Sequence, residues 1–319
     1  MSSTPFSIMS WNVRGLNSPA RRFAVRELAA SLRATILCLQ ETKLDSWTAS
    51  TVHDLGATVM EGCVVLPATS TRGRAAILWN KHVVDLITHA VGCFSITAKV
   101  MVLHNNASFW LTTVYGPADD ARKDAFLAEL SQVTPSSGEP WIITGDFNII
   151  YEARDKNNLN LNRRIMGKFR RAIDAANLME IKCKNRRFTW LNEREDPVLV
   201  SIDKFFCNLE WDNLFPNFML MVASTACSDH CSLLLANTTA PARKPPLKFE
   251  TFWPRFPHFQ ETVQRAWLRP SPLLCPIARI KQKMERTASD LGIWASSLFS
   301  NAKLQFQLAA EIVLRLDIA

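Results

Sequence analysis

The chain has 319 residues, 48% of them hydrophobic and 21% charged, and a formal net charge of +8. That composition is globular: it excludes whole-chain disorder, and only 10 glycines exclude a collagen-like or glycine-rich repeat. The length suggests about two domains of ~150 residues, no run of ~18 apolar residues offers a membrane span, and MSSTPFSIMSWNVRG lacks the basic and apolar regions of a secretory signal.

Short apolar runs bounded by turn residues predict strands at 7–11, 35–40, 57–66, 74–79, 94–103, 109–114, 141–145, 202–207 and 231–235. Helices are predicted between them. The first, 20–31, carries apolar Phe23, Leu28 and Leu32. The second, 120–133, opens on an Asp suited to capping. The third, 163–177, places Ile165, Phe169, Ile173 and Ala176 on one face and arginines on the other. Many strands with several helices argue for sheet packed on sheet, flanked by helices, rather than a bundle.

NTTAPARKPPLK, with three prolines and no apolar period, predicts a linker. The expected organisation is a domain at 1–237, a Pro-rich linker at 238–250 and a helical connector at 251–319. After a proline break at 270–276, the remainder predicts one or two helices with an apolar stripe (Ile277, Ile280, Met284, Leu291, Trp294, Leu298). The pattern stops without a cap, so a truncated chain is expected. The eight cysteines include no C-x-x-C pair, and Cys227, His230 and Cys231 lack a second ligand pair at zinc spacing, so buried reduced thiols are predicted.

Charge is uneven. Residues 1–240 hold 25 Lys+Arg against 23 Asp+Glu, and residues 241–319 hold 12 against 6. Within the larger part, 154–187 concentrates 11 basic side chains against Asp155, Asp174 and Glu180. A local patch of this kind suits a polyanion.

Polar residues close several of the apolar runs: WN at 11–12, QE at 40–41, VYGP at 114–117, GDFN at 145–148 and SDH at 228–230, with Asp203 inside SIDKFF. Such residues converge on one rim when their strands share a sheet. Carboxylates and amides suit a hard divalent cation. Hydrolysis of a phosphate ester needs an activated water and neutralisation of developing charge. Glu41 is suited to hold the ion, Asp146 to accept the water's proton, Asn148 and His230 to donate to phosphate, and Asp203 to orient the imidazole of His230. No P-loop and no nucleophile elbow is present. GPADD at 116–120, which superficially suggests a polymerase Asp pair, reads as a turn and helix cap.

The order WN…QE…YGP…GDFN…D…SDH resembles the endonuclease/exonuclease/phosphatase superfamily, which includes deoxyribonuclease I and the apurinic endonucleases. MSWNVRGLNSPARR, ILCLQETKL, VYGPADD, GDFNIIYEARDKNNLNLNRRIMGKFRRAI, RRFTWLNEREDP and SDHCSLLL look more closely like the N-terminal endonuclease of plant LINE-type (non-LTR) retrotransposons, and KFETFWPRFPHF like the connector behind it. The reverse transcriptase of such an element is absent from this sequence.

The resemblance implies an α/β fold: a four-layer α/β sandwich of two packed mixed β-sheets flanked by helices, deoxyribonuclease I-like, followed by a helical extension. It implies a Mg²⁺-dependent endonuclease, with Mn²⁺ as a substitute, that nicks double-stranded target DNA and leaves a 3′-hydroxyl. No membrane and no small-molecule cofactor are implied, and the DNA substrate suggests nuclear residence. By motif, Asn12, Glu41 and Asp229 lie at the metal, Tyr115 contacts phosphate, Asp146 is the base with Asn148 beside it, and Asp203 pairs with His230. Thr189 matches a position near the DNA-binding surface, and Arg163, Arg164, Lys168, Arg170 and Arg171 are expected to meet DNA phosphates. Departures are Arg74 and Ala75 in place of paired glycines, and Ile202 and Lys204 in place of Leu and Arg. The alternatives are a phosphoesterase of the same fold acting on another ester, and an inactive DNA-binding remnant.

Overall fold

The computed structural model describes residues 6–44, 46–56, 60–66, 75–192, 196–223, 228–238, 249, 253–273 and 275–316, with side chains to residue 298. Contacts divide the chain into a first unit, residues 1–241, and a second, residues 242–316.

In the first unit the strands form two six-stranded sheets. One contains β1 (Ser7–Asn12), β2 (Ile36–Gln40), β3 (Gly62–Val65), β4 (Ala76–Trp79), β13 (Phe218–Ala223) and β14 (Ser232–Asn237), in the order β13-β14-β1-β2-β4-β3. The other contains β5 (Val84–Val91), β6 (Ser95–Val102), β7 (Ala107–Tyr115), β8 (Trp141–Asp146), β9 (Met179–Glu180) and β12 (Asp203–Cys207), in the order β5-β6-β7-β8-β12-β9. A hairpin of β10 (Trp190–Leu191) and β11 (Leu199–Val200) stands apart. The nine predicted strands lie on β1–β4, β6–β8, β12 and β14; residues 57–59 and 74 of two of those predictions fall outside the described residues.

Alternate side chains of each central strand serve different layers. Ile8, Ile36, Cys38, Ile142 and Phe205 join the core between the sheets. Their neighbours Met9, Leu37 and Leu39 pack outward with Val25 and Ala29 of helix α1 (Pro19–Leu32) and Leu55 of α2 (Ala49–Gly56). On the other side, Ile143 and Phe206 pack with Phe126 and Leu130 of α3 (Asp120–Gln132) and with Ile165, Phe169 and Ile173 of α4 (Arg163–Ala175). Burial on both faces explains why these strands read as unbroken apolar runs rather than alternating ones. The result is helix, sheet, sheet, helix, the four layers expected.

Each sheet has one parallel pair at its centre: β1 with β2, linked through α1, and β7 with β8, linked through α3. Parallel pairing brings both C-terminal ends to the same edge. Asn12 therefore sits level with Gln40, one residue before Glu41, and Tyr115 sits level with Asp146. Antiparallel β12 completes the row by setting Asp203 opposite Asp146. Gly145 makes that row possible. Its φ is +141° and a Cβ there would lie 2.0 Å from the Val114 carbonyl, so only glycine lets β8 run this close to β7.

Helix α5 (Leu209–Leu214) leads into β13. Asp119 caps α3, its Oδ1 accepting from Ala121 N at 3.0 Å, as the turn-and-cap reading of GPADD requires. Cys38, Cys207 and Cys231 are buried free thiols, whereas Cys93 and Cys275 are exposed. In the second unit a 3₁₀ turn (Trp253–Arg255), α6 (Phe259–Leu268) and a single long α7 (Pro276–Leu316) enclose a small core of Trp253, Phe259, Val263, Leu291 and Trp294. Ile277, Ile280 and Met284 of the predicted stripe stay exposed. No helix among the described residues is long and apolar enough to cross a membrane.

Candidate active site

The ends of β1, β2, β7, β8 and β12 bring Asn12, Glu41, Tyr115, Asp146 and Asp203 together, and the turn before β14 adds Asp229 and His230. Asn12 is fully buried between two carboxylates. Its Nδ2 donates to Glu41 Oε2 at 3.2 Å and to Asp146 Oδ2 at 2.9 Å, while its Oδ1 accepts from the Arg14 backbone at 3.1 Å. The amide nitrogen, not the oxygen, faces the carboxylates, so Asn12, the residue the motif places at the metal, bridges the two of them.

Asn148 is held in the same way. Its Nδ2 donates to Gly116 O at 3.0 Å and Asp146 Oδ2 at 3.1 Å, and its backbone N–H to Asp146 Oδ1 at 2.9 Å. It secures Asp146, beside which the motif places it. Burial pushes the Asp146 carboxyl up to about 7, with Asp203 adding to the rise and His230 and these donors opposing it.

His230 lies with Nε2 3.9 Å from Asp146 Oδ2 and Nδ1 2.9 Å from Asp203 Oδ2. An ionised carboxylate only accepts, so Nδ1–H donates to Asp203 and leaves Nε2 facing the site. Burial pulls the imidazole pKa down, but the charge and hydrogen bond of Asp203, then Asp146 and Asp229, raise it to about 9. Ser228 Oγ accepts from His230 N at 3.1 Å and donates to Asn12 O at 2.8 Å, and Trp11 Nε1 donates to His230 O at 3.1 Å. The histidine loop is thereby stitched to β1.

Thr189 requires a correction. It is 3% exposed. Its hydroxyl donates to Asp203 Oδ2 at 2.7 Å and accepts from the backbone N–H of Asp203 at 3.1 Å. It stands behind Asp203 as the far end of a Thr189–Asp203–His230 chain, buried rather than on the surface.

Glu41 is almost buried, yet its pKa is lowered. Burial would raise it, but a hydrogen bond from Lys43 and the charges of Arg14 and Lys43 outweigh that. Burial, together with the charges of Glu41 and Asp146, raises the Tyr115 phenol, so it stays a donor. Asp229 Oδ2 accepts from Trp190 Nε1 at 2.9 Å, and Arg14 Nε approaches its Oδ1 at 3.2 Å. Glu41, Arg14, Lys43 and Asn148 all have left-handed backbones, with φ between 50° and 53°. Outside glycine that conformation costs on the order of 1–3 kcal/mol and gathers at functional sites.

Motif reading missed Arg14, Lys43 and Trp190. Each lies within two residues of a motif residue or immediately after Thr189, but nothing in the sequence shows which side chains turn inward.

The basic stretch does not form one face. Arg163 and Arg164 are exposed at the start of α4, where Asn162 Nδ2 donates to Asp120 Oδ2 at the start of α3, so both lie toward the edge carrying Tyr115 and Asp146. Arg171 is exposed about 12 Å further along the helix. Lys168 is held by Asp124 at 2.6 Å, Arg170 lies over the Tyr151 ring, and Lys204 is buried between Glu180 at 2.7 Å and Asp155 at 3.1 Å. Lys168 was expected at a phosphate; the structure gives it an acidic neighbour instead.

Four carboxylates at one mouth make an oxygen-rich set that fits a hard divalent cation. Among the described residues, Asp146, Asp203 and His230 offer ligand atoms within 4.8 Å of one another. A four-layer sandwich with this set at the strand ends is the plan of the metal-dependent phosphoesterase hydrolases. The chain belongs to the endonuclease/exonuclease/phosphatase family, whose model matches residues 9–271.

Among solved structures, the chain is similar to the AP endonuclease LMAP from Leishmania major, at 14% identity and a TM-score of 0.61 over 73% of this chain and 87% of that one. It is similar to the endonuclease domain of TRAS1, a telomere-specific non-LTR retrotransposon, at 15% identity and a TM-score of 0.57 over 74% of this chain and all of that one. D. rerio TDP2, complexed with a single-strand DNA product, follows at 16% identity and a TM-score of 0.53, over 74% of this chain and all of that one. At such identities these likenesses show the fold. Comparison of the sequence with curated proteins gave no match.

Proposed function

We propose that this chain is a Mg²⁺-dependent endonuclease that nicks double-stranded DNA and leaves a 3′-hydroxyl, of the type that serves target-primed integration of a LINE-type retrotransposon. The observation that carries the reading is the Thr189–Asp203–His230 chain aimed at Asp146 across 3.9 Å, in one mouth with Glu41 and Asp229.

Glu41 and Asp229, with Asp146 beside them, would hold Mg²⁺, for which Mn²⁺ can substitute. The bound ion supplies charge neutralisation on the phosphate and eases ionisation of the attacking water. Asp146 accepts the proton of that water; a carboxyl pushed toward neutrality is well matched to the task. Asn12 and Asn148 fix both of its oxygens. His230, kept positive by Asp203, donates Nε2–H to a non-bridging oxygen, a charge-assisted bond stronger than a neutral one. Tyr115, kept protonated, donates its hydroxyl to the same phosphate. Arg163, Arg164 and Arg171 bind flanking phosphates, which gives salt-dependent affinity with little sequence information. Two of the three similar structures above are endonucleases and the third was solved with single-strand DNA, which supports DNA over another phosphate ester. A nuclear location follows from that substrate.

Supercoiled plasmid incubated with Mg²⁺ tests the proposal. The parent yields relaxed circles whose nicks prime a DNA polymerase; Asp146→Ala and His230→Ala yield none. Equal nicking by all three proteins, or hydrolysis of small phosphate esters with no nicking, refutes it.

A further inference from the structure

Glu41, the carboxylate assigned above to the ion, is already occupied by cations of its own chain. Its Oε1 lies 2.7 Å from Lys43 Nζ, and its Oε2 lies 3.4 Å from Arg14 NH1 beside the Asn12 amide. The same guanidinium reaches Asp229 Oδ1 through Nε at 3.2 Å, so one arginine spans two of the three carboxylates given to the metal. The backbone is built to aim these side chains. Arg14 and Lys43 both have φ of 53°, a conformation that costs energy for any residue with a Cβ. Arg14 N–H is fixed by Asn12 Oδ1 at 3.1 Å and Arg14 O by Arg21 NH1 at 2.7 Å. Gly15, with φ of +106°, leaves the stem of Lys43 room to lie against it, 3.4 Å from the place of a Cβ. Yet neither cation is locked in: their side chains are 46% and 39% exposed.

We propose that Arg14 and Lys43 are a displaceable cationic clamp. They neutralise Glu41 and Asp229 in the ion-free protein, and when a divalent cation takes those carboxylates they swing out to bind phosphates of the substrate. The inference rests on the proposed role of Glu41. Its physical basis is that a divalent ion drawn to a carboxylate already contacted by two monovalent cations is repelled by both, and moving these flexible, half-exposed side chains relieves the repulsion. Released, the two side chains stand beside Tyr115 with no carboxylate to satisfy, where a phosphate is the complementary partner. Ion binding and DNA binding are then coupled, each strengthening the other.

The test measures Mn²⁺ binding without DNA, by electron paramagnetic resonance, for the parent, Arg14→Met, Lys43→Met, Arg14→Lys and Glu41→Gln. Binding of a short DNA duplex is measured in parallel by fluorescence anisotropy, with and without Ca²⁺. Each Met variant is expected to bind Mn²⁺ about tenfold more tightly than the parent, because a competing charge has gone. It should bind DNA more weakly in Ca²⁺, with a salt slope smaller by about one phosphate contact, and unchanged without the ion. Arg14→Lys keeps the charge and should stay near the parent in both. Met variants that bind Mn²⁺ no more tightly than the parent, or that keep the parent's DNA affinity and salt slope in Ca²⁺, overturn the clamp while Glu41 keeps its place. A parent that binds no Mn²⁺, or Glu41→Gln binding it equally well, removes the metal assignment and the clamp with it.

Discussion

Replacing Asp203 with Asn probes the centre of the site with little change of shape. In the parent, Asp203 accepts from His230 Nδ1 at 2.9 Å and from Thr189 Oγ1 at 2.7 Å. In Asp203→Asn the new amide can donate to Nδ1 while its oxygen accepts from Thr189, so every partner stays satisfied, but the imidazole is neutral with its proton on Nε2. The magnitude follows from the rise of His230 from 6.5 to about 9, which corresponds to about 3 kcal/mol of interaction favouring the charged ring. For a base whose folded pKa is raised, that stability is fully present below pH 6.5 and is lost as pH climbs through about 9. Urea unfolding between pH 6.5 and 9 should therefore show the parent losing stability over this range and Asp203→Asn losing far less. NMR should place the His230 titration well below that of the parent in the variant, because only Asp146 and Asp229 then oppose burial. Loss of the positive donor should reduce plasmid nicking on the order of 10²-fold. Equal pH slopes, together with a His230 titration near 9 in both proteins, would refute the assignment of that charge to Asp203.

Thr189→Val should leave two backbone N–H groups and one carboxylate oxygen short of a partner, costing ~1–3 kcal/mol in urea unfolding and slowing nicking without altering the salt dependence of DNA binding; an altered salt slope would return Thr189 to the DNA surface. Arg163→Ala and Arg164→Ala should each lower the salt slope of DNA affinity by about one, whereas Lys168→Ala, whose ammonium is neutralised by Asp124, should not. Gly145→Ala should destabilise by ~3 kcal/mol or more, since its Cβ would lie 2.0 Å from Val114 O, and calorimetry checks this. Because the Asp146 carboxyl is pushed up to about 7 and must ionise to meet a cation, Mn²⁺ affinity should rise with pH between about 6 and 8, and a flat profile would count against Asp146 facing the ion.

Much of this architecture was legible because buried central strands announce themselves as apolar runs, and because the polar residues ending those runs are the ones the parallel pairs carry to one edge. What escaped was whatever pairing decides. β5, with exposed Ile87 and Val91 on a sheet edge, and β13, interrupted by Pro216 just before it, lack a clear pattern. β9, β10 and β11 are only two residues each, too short to carry a period. Within the site, motifs marked Asn12, Asn148 and Thr189 as functional positions but not the direction of their side chains. The amides turn toward Asp146 because a buried carboxylate must have its lone pairs met, and Thr189 turns inward because the strand it leads into pairs with β11, which runs on into the Asp203 strand. The basic stretch failed as a single patch because nearness along the chain is not nearness on a surface. Helix periodicity and the ion pairs of Lys168 with Asp124 and of Arg154 with Glu152 sort its members one by one.

The balance of charge at the mouth explains how so many acids coexist there before any ion arrives. Glu41, Asp203 and Asp229 are each matched by a cation, Lys43 with Arg14, His230 and Arg14 respectively. Asp146 is the exception. It receives only neutral donors from Asn12 and Asn148 and stands 3.9 Å from an imidazolium already committed to Asp203, so burial, with Asp203 adding to it, pushes it up to about 7. The four carboxylates lie on one edge and differ in what meets them, and that difference separates their tasks. The well-neutralised acids are anions suited to hold a cation or a histidine, and the poorly neutralised one is suited to take up a proton.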